Sequence, residues 1–441
     1  MSAVAERFAA GFASVRGAVE SHPALILNAS WLACGTVATA VLGFAYWLVA
    51  ARYFALEPVG LAAAGVSIMN VIALLGQLGL GTILISEIKL RGDKAEEVVS
   101  AALAVCFAAA VVLGTVFLGV AHATSFNLGA ITGTAGGGLV FVLGCGATCA
   151  ASVLSSACIG HLRSSLQTYQ NVFFSMIKLV LLVLVADRYS SEAGEEPIFA
   201  AWVVAQAASI CFFFILYLKK FNGGTLPRPC FKALRSLVPT SLSHHILDMV
   251  IQTPGQVMPF LVAVIVSPAV NAAFNAGYMI LRVVNLLPAA FSTTLFALGN
   301  SSANASASGL RFTISVVTFV GFGVITFIAM FSDTLLNLFN PEYAQIASTS
   351  LKILSLSYFG VASKSLYLSV KRLEGRMLFA SRVFAVGGCL ELLLTCLGGH
   401  FWGLNGLSSG WTAATLLQAA YMVPAIFKAA SNLKIRSPQP H

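Results

Sequence analysis

The run AGVSIMNVIALLGQLGLGTIL, residues 64 to 84, returns as AGYMILRVVNLLPAAFSTTLF at residues 276 to 296, without a gap and with seven of 21 positions identical. Each copy is long and apolar enough to cross the hydrocarbon core of a bilayer as a helix, which takes about 20 residues. The copies lie almost half of the 441-residue chain apart. If both keep one orientation, they make two parallel lobes related by an axis along the membrane normal. The rest of the chain has the same character: 58% of residues are hydrophobic and 9% charged, against roughly a quarter charged in soluble domains. Inside a bilayer every backbone N–H and C=O must be satisfied within the protein, so such runs are helices. Their unbroken length excludes the alternating pattern of a β-barrel.

Apolar runs between charged or Gly/Pro-rich breaks give twelve spans: 25 to 51, 59 to 86, 97 to 120, 137 to 159, 166 to 186, 197 to 218, 237 to 265, 268 to 298, 310 to 331, 345 to 370, 378 to 398 and 403 to 427. The expectation is an all-α polytopic membrane protein of about twelve transmembrane helices in two pseudo-symmetric six-helix lobes. Residues 25–218 form the first lobe, 237–428 the second, and 219–236, with Gly223, Gly224, Pro227 and Pro229, the cytoplasmic linker. Residues 1–24 place Val4, Phe8, Phe12, Val15 and Val19 on one helical face, as in a helix lying in the interface, and 429–441 form a cytoplasmic tail. With the N-terminus inside, 19 of the 25 basic residues fall on inner segments and only Arg52 and Arg188 on outer loops. Basic residues near span ends stay cytoplasmic, so both termini are expected inside.

That placement turns the net charge of +9 into a topology signal, and no nucleic-acid partner is expected. Eight of the nine cysteines lie in apolar runs, where the thiol acts as a small hydrophobe. Cys145 and Cys149 sit one turn apart with no partnering Cys or His pair, so neither a metal site nor a cofactor is expected. There is no Walker A lysine, HExxH, Gly-x-Ser-x-Gly or DxD constellation, and the outer loops are too short for a catalytic domain.

Candidate binding residues come from polar stripes. Span 7 carries Ser241, His245, Asp248, Gln252 and Gln256 at steps of three or four, and span 8 carries Asn271, Asn275, Tyr278, Arg282 and Asn285. A charge at the bilayer centre costs about 3 kcal/mol even on the lenient insertion scale, so these faces meet each other or line a cavity. Asp248 and Arg282 both fall near mid-membrane, as a transport site or a structural ion pair. Pro254, Gly255 and Pro259 permit span 7 to bend. The first lobe offers Ser67, Asn70 and Gln77 on span 2 and Asn28, Thr39, Tyr46 and Trp47 on span 1, with Asn70 matching Arg282 in the repeat. Lys178, Lys352 and Lys364 with Arg282 outnumber the membrane carboxylates Asp248 and Glu391, so a cavity enclosing them attracts an anion.

The stretch WLACGTVATAVLGFAYWLVAARYFALEPVGLAAA, residues 31 to 64, with Ala50, Ala51 and Arg52 before a short turn holding Pro58 and Gly60, resembles the opening of the bacterial polysaccharide-transporter family, the Wzx-type oligosaccharide flippases. NAGYMILRVVNLLPAAFSTTLFAL, residues 275 to 298, resembles that family's eighth span. The family belongs to a superfamily that also holds multidrug and toxin extrusion antiporters and lipid II flippases. The resemblance implies a bacterial inner-membrane carrier, not an enzyme, in which two bundles alternate around a cationic cavity. It implies that a polyprenyl-diphosphate-linked oligosaccharide and membrane lipid are the partners, with Arg282 contacting a diphosphate or an acidic sugar. Glycosyltransferases and a glycan polymerase would be its neighbours, and a proton or sodium ion would couple through Asp248 or His245. Cation-coupled multidrug antiport and membrane glycan assembly are the alternatives. Span 1 lacks the mid-membrane carboxylate expected of the first.

Overall fold

A computed structural model describes residues 23–92, 95–124, 127–189, 194–235, 237–299 and 303–432. The expected interfacial helix, apart from its last two residues, and residues 433–441 of the tail lie outside them.

The first lobe holds α1 (Pro23–Tyr53), α2 (Leu56–Gly76), α3 (Leu80–Arg91), α4 (Ala95–Ala123), the single turn α5 (Ala130–Gly133), α6 (Ala135–Gly160), α7 (Ser164–Tyr189) and α8 (Glu196–Phe221). A linker with the short α9 (Phe231–Arg235) leads to α10 (Val238–Ile265), α11 (Pro268–Gly299), α12 (Ala303–Asn337), α13 (Pro341–Ser355), α14 (Tyr358–Leu373) and α15 (Met377–Asn432). The linker is tied to the first lobe, since Cys230 N donates to Glu97 O at 3.1 Å.

Two breaks depart from the expected continuous spans, each for a local reason, and a third falls where the eleventh and twelfth spans are expected to part. Span 2 stops at Gly76 and restarts at Leu80 because Leu78 and Gly79 are left-handed, with φ 50° and 72°. Glycine is required at 79, where a Cβ would come within 2.2 Å of Ser241 O in the other lobe. Span 10 bends by 41° between α13 and α14. There Ser355 and Ser357 donate to the carbonyls of Lys352 and Leu354, hydroxyl bonds that compete with the helical ladder. The 53-residue run Met377–Ala429 is interrupted by the non-helical Trp402 and Gly403. It doubles back on itself: Gly398 packs on the backbone of Gly406 and Gly410 on that of Leu394.

Ten helices are long and apolar enough to cross a membrane among the described residues, and the bent pair adds an eleventh. Counting the two antiparallel arms of α15 separately gives the expected twelve. The repeat finds its meaning at the seam, where α2 of the first lobe packs along α11 and α10 of the second.

Within the second lobe, Lys364 of α14 donates to Glu391 of α15, and Gln418 from the returning arm donates to the same carboxylate oxygen. Lys364 was expected to bind substrate; it is held instead in a buried ion pair tying three spans together. Glu391 has no exposed surface, and stranding either charge costs about 3–5 kcal/mol, whereas exchanging both for apolar groups is often neutral. Glu391→Leu and Lys364→Met should each lower the thermal midpoint in detergent, and the double variant should recover most of the loss. Additive losses would show that the two side chains act separately.

Candidate functional site

The seam is sealed at one end of the bundle. Gly60, near the start of α2, lies so close to α11 that a Cβ there would stand 1.7 Å from Pro268 O. Asn271 Nδ2 donates to Gly60 O at 2.7 Å, and Ser67 Oγ donates to Gln256 O at 2.5 Å. At the same end Arg52 donates through Nε and Nη2 to Leu338 O, at 3.2 and 2.9 Å, and Phe44 meets Phe339 edge to face. Below this seal a cavity of about 840 Å³ lies between the lobes. Its lining runs from Trp47, Trp202 and Pro259 to Thr36, Ile159, Gln167 and Leu286. The latter set lies toward the ends that carry most of the basic residues, so the lobes are closed at the other end.

The polar stripe of α10 lines this cavity with His245, Asp248, Gln252 and Gln256. Ser241, the first member, is used in the seam, where its Oγ donates to Leu78 O at 2.6 Å. The stripe of α11 divides. Asn275 and Arg282 face the cavity, but Tyr278 turns to α10, where its hydroxyl donates to Gly255 O at 2.8 Å. The reason is chemical: residue 259 would supply the helical N–H for that carbonyl, and proline has none. Tyr278 is therefore a patch on the bend of α10, a correction to its expected role as a binding residue. Asn285 also lies off the cavity lining, with its Oδ1 buried and unpartnered.

Asp248 and Arg282 line one cavity, yet no ion pair joins them among the described residues. Thr82 of α3 donates to Asp248 Oδ2 at 2.8 Å instead, across the seam. Across the cavity, Asn70 and Lys178 face them from α2 and α7. Lys178 is 3% exposed and packs on aromatic faces, its Nζ 3.6 Å from the Trp202 ring centroid, 4.7 Å from Phe174 and 5.2 Å from Tyr46.

The family model described as polysaccharide biosynthesis protein matches residues 25–296, more than half of the chain. The chain belongs to that family. No match is found among curated proteins. Among solved structures, an inward-facing multidrug resistance MATE family transporter of the MOP superfamily is 15% identical, with a TM-score of 0.69 over 90% of this chain and 96% of that one. The lipid II flippase MurJ in an inward closed conformation is 13% identical, with a TM-score of 0.68 over 91% and 90%. A MOP superfamily transporter from Pyrococcus furiosus is 15% identical, with a TM-score of 0.57 over 93% and 94%. Likeness at this identity establishes the fold, and this polysaccharide biosynthesis family member is a multi-pass membrane protein with the fold of MOP transporters.

In this family member the charge balance of the cavity is narrower than four cations to two carboxylates. Lys364 and Glu391 pair off the lining, and Lys352 Nζ stands 3.4 Å from Asp333, also off it. Lys178 and Arg282 against Asp248 remain, one cation in excess. Much of the first-lobe wall went unread in the sequence: Thr148, Ser152, Ser155 and Ser156 on α6, and Gln167 and Asn171 on α7. Gln167, Asn171, Phe174 and Lys178 step by four, three and four, the same periodicity that singled out α10 and α11.

Proposed function

We propose that this protein is an alternating-access transporter that carries a lipid-linked oligosaccharide, anchored on a polyprenyl diphosphate, from the cytoplasmic to the outer leaflet of a bacterial inner membrane. The observation that carries the reading is the cavity between the lobes: sealed at one end, rich in hydrogen-bonding side chains suited to sugar hydroxyls, and in excess of cations. Its volume falls in the range of about 300–1,000 Å³ typical of ligand sites. Membership of a polysaccharide biosynthesis family supports the glycan, and a neighbour named as a lipid II flippase supports a lipid anchor. The basic bias supports cytoplasmic termini, and hence a cavity turned to the cytoplasm in this conformation. Glycosyltransferases and a glycan polymerase are its expected neighbours, and a proton or sodium ion entering through Asp248 or His245 would add to the drive.

An anion leaving a negative cytoplasm gains about 2.3 kcal/mol per charge per 100 mV. The test uses proteoliposomes containing an anionic lipid-linked oligosaccharide, with a potential set by potassium and valinomycin at matched pH. For molecules whose basic end faces the lumen, outward translocation should be faster with the lumen negative. Rates indifferent to potential would remove electrophoretic export. Movement of small organic cations with no movement of the glycolipid would assign the protein to multidrug antiport.

A further inference from the structure

The membrane-embedded cations of this chain fall into three kinds. Lys364 and Lys352 have carboxylate partners, and Arg282 is exposed in the cavity. Lys178 alone is both buried and without a salt bridge among the described residues, although it lines the cavity. A buried charge held only by ring faces is a costly arrangement, because a quadrupole replaces little of the hydration an ammonium gives up. The neighbours offer no relief of that kind: Tyr46 spends its hydroxyl on Ile198 O, and Trp202 and Phe174 present rings. An anion arriving at this point gains a partner that nothing in the protein has claimed.

We infer that Lys178, with the rings of Trp202, Phe174 and Trp47, forms a subsite for the carboxylate of an acidic sugar, separate from Arg282, which receives the diphosphate. This rests on the transport reading above and names the charge carried by its glycan. Two features of the residues set the division. An ammonium is a compact point charge that suits one carboxylate, whereas the guanidinium fork of Arg282 matches phosphate oxygens in pairs. Trp47, Phe174 and Trp202 all line the cavity beside Lys178 and offer flat apolar faces to the C–H face of a pyranose.

Depth supports the same order. Counting ~1.5 Å per helical residue, Lys178 lies ~16.5 Å from the sealed-end terminus of α7 and Arg282 ~21 Å from that of α11. Arg282 is thus nearer the open end, where a phosphate joined to a lipid tail in the bilayer must stay, and Lys178 receives sugars carried further in.

The test is equilibrium binding to the full-length protein in detergent, read by the thermal midpoint and by tryptophan fluorescence, with D-glucuronate, D-glucose and pyrophosphate as probes. D-Glucuronate should raise the midpoint and change the emission of the tryptophans, and D-glucose at the same concentration should do neither. Lys178→Met should weaken D-glucuronate at least about tenfold and leave pyrophosphate unchanged, and Lys178→Arg should restore much of it. Without ligand, Lys178→Met should melt higher than the wild type, since it removes an uncompensated buried charge; a purely structural lysine would give the opposite sign. No glucuronate effect on the wild type, or an equal effect on Lys178→Met, overturns the inference. Loss of the pyrophosphate response in Lys178→Met also overturns it, by giving the phosphate to Lys178. Because these are binding measurements, they fail independently of the flux assay: glucuronate bound through Lys178 with no glycolipid movement would sink the transport reading and leave the subsite standing.

Discussion

Gly60→Val should hold the sealed end of the transporter open and cut glycolipid flux by about a hundredfold, which takes a bias of only about 2.7 kcal/mol against the closed state. The added Cβ would meet Pro268 O at 1.7 Å and Pro268 C at 2.5 Å. Both atoms are backbone, so no rotamer change relieves the clash and α2 must move off α11. The hydrogen bond from Asn271 to Gly60 O breaks with it, and Arg52 is drawn away from Leu338 O. The nearest atoms to the new side chain belong to the other lobe, so the packing inside the first lobe is left alone. Spin labels at positions 52 and 338 should report a longer, single distance in Gly60→Val than in the wild type. Gly43→Ala is the control: it lines the same cavity with no atom within 4 Å of its Cβ, and should transport normally. Wild-type flux with an unchanged label distance in Gly60→Val would mean that the seal is not part of the cycle.

The repeat was legible because its signal is local; that its two copies meet at the seam was not. Two apolar runs with matching small residues announced equivalent helices, and α2 and α11 do face each other, with Asn70 and Arg282 both on the cavity. What escaped depends on contacts between distant residues. Periodicity put Tyr278 on the polar face of α11, but only the carbonyl freed by Pro259 on another helix explains which way it turns. Lys364 and Glu391 are 27 residues apart, and their pairing with Gln418 exists only after α15 has folded back at Trp402 and Gly403. The break at Leu78 and Gly79 is hidden because a hydropathy window averages over two left-handed residues in an apolar run. Lys178 was readable as a buried charge, but the rings around it come from α1, α7 and α8.

Arg282→Ala should abolish glycolipid transport while leaving the protein folded and in the membrane. Its side chain is exposed in the cavity and forms no salt bridge among the described residues, so the fold has little stake in it. Arg282→Lys should keep part of the activity, because the charge remains while the paired N–H donors for phosphate are lost. A structural ion pair with Asp248 would make a different forecast, namely that neutralising both charges restores function. Here Asp248 accepts from Thr82 across the seam, so Asp248→Asn should keep that contact between α3 and α10 and weaken it from a charge-assisted to a neutral hydrogen bond. The two lesions are then independent, and Asp248→Asn combined with Arg282→Gln should transport no better than Arg282→Gln alone. Flux in proteoliposomes, with thermal midpoints to confirm folding, decides between them. Recovery of wild-type flux in the double variant would return both residues to a structural pair and remove Arg282 from the binding site.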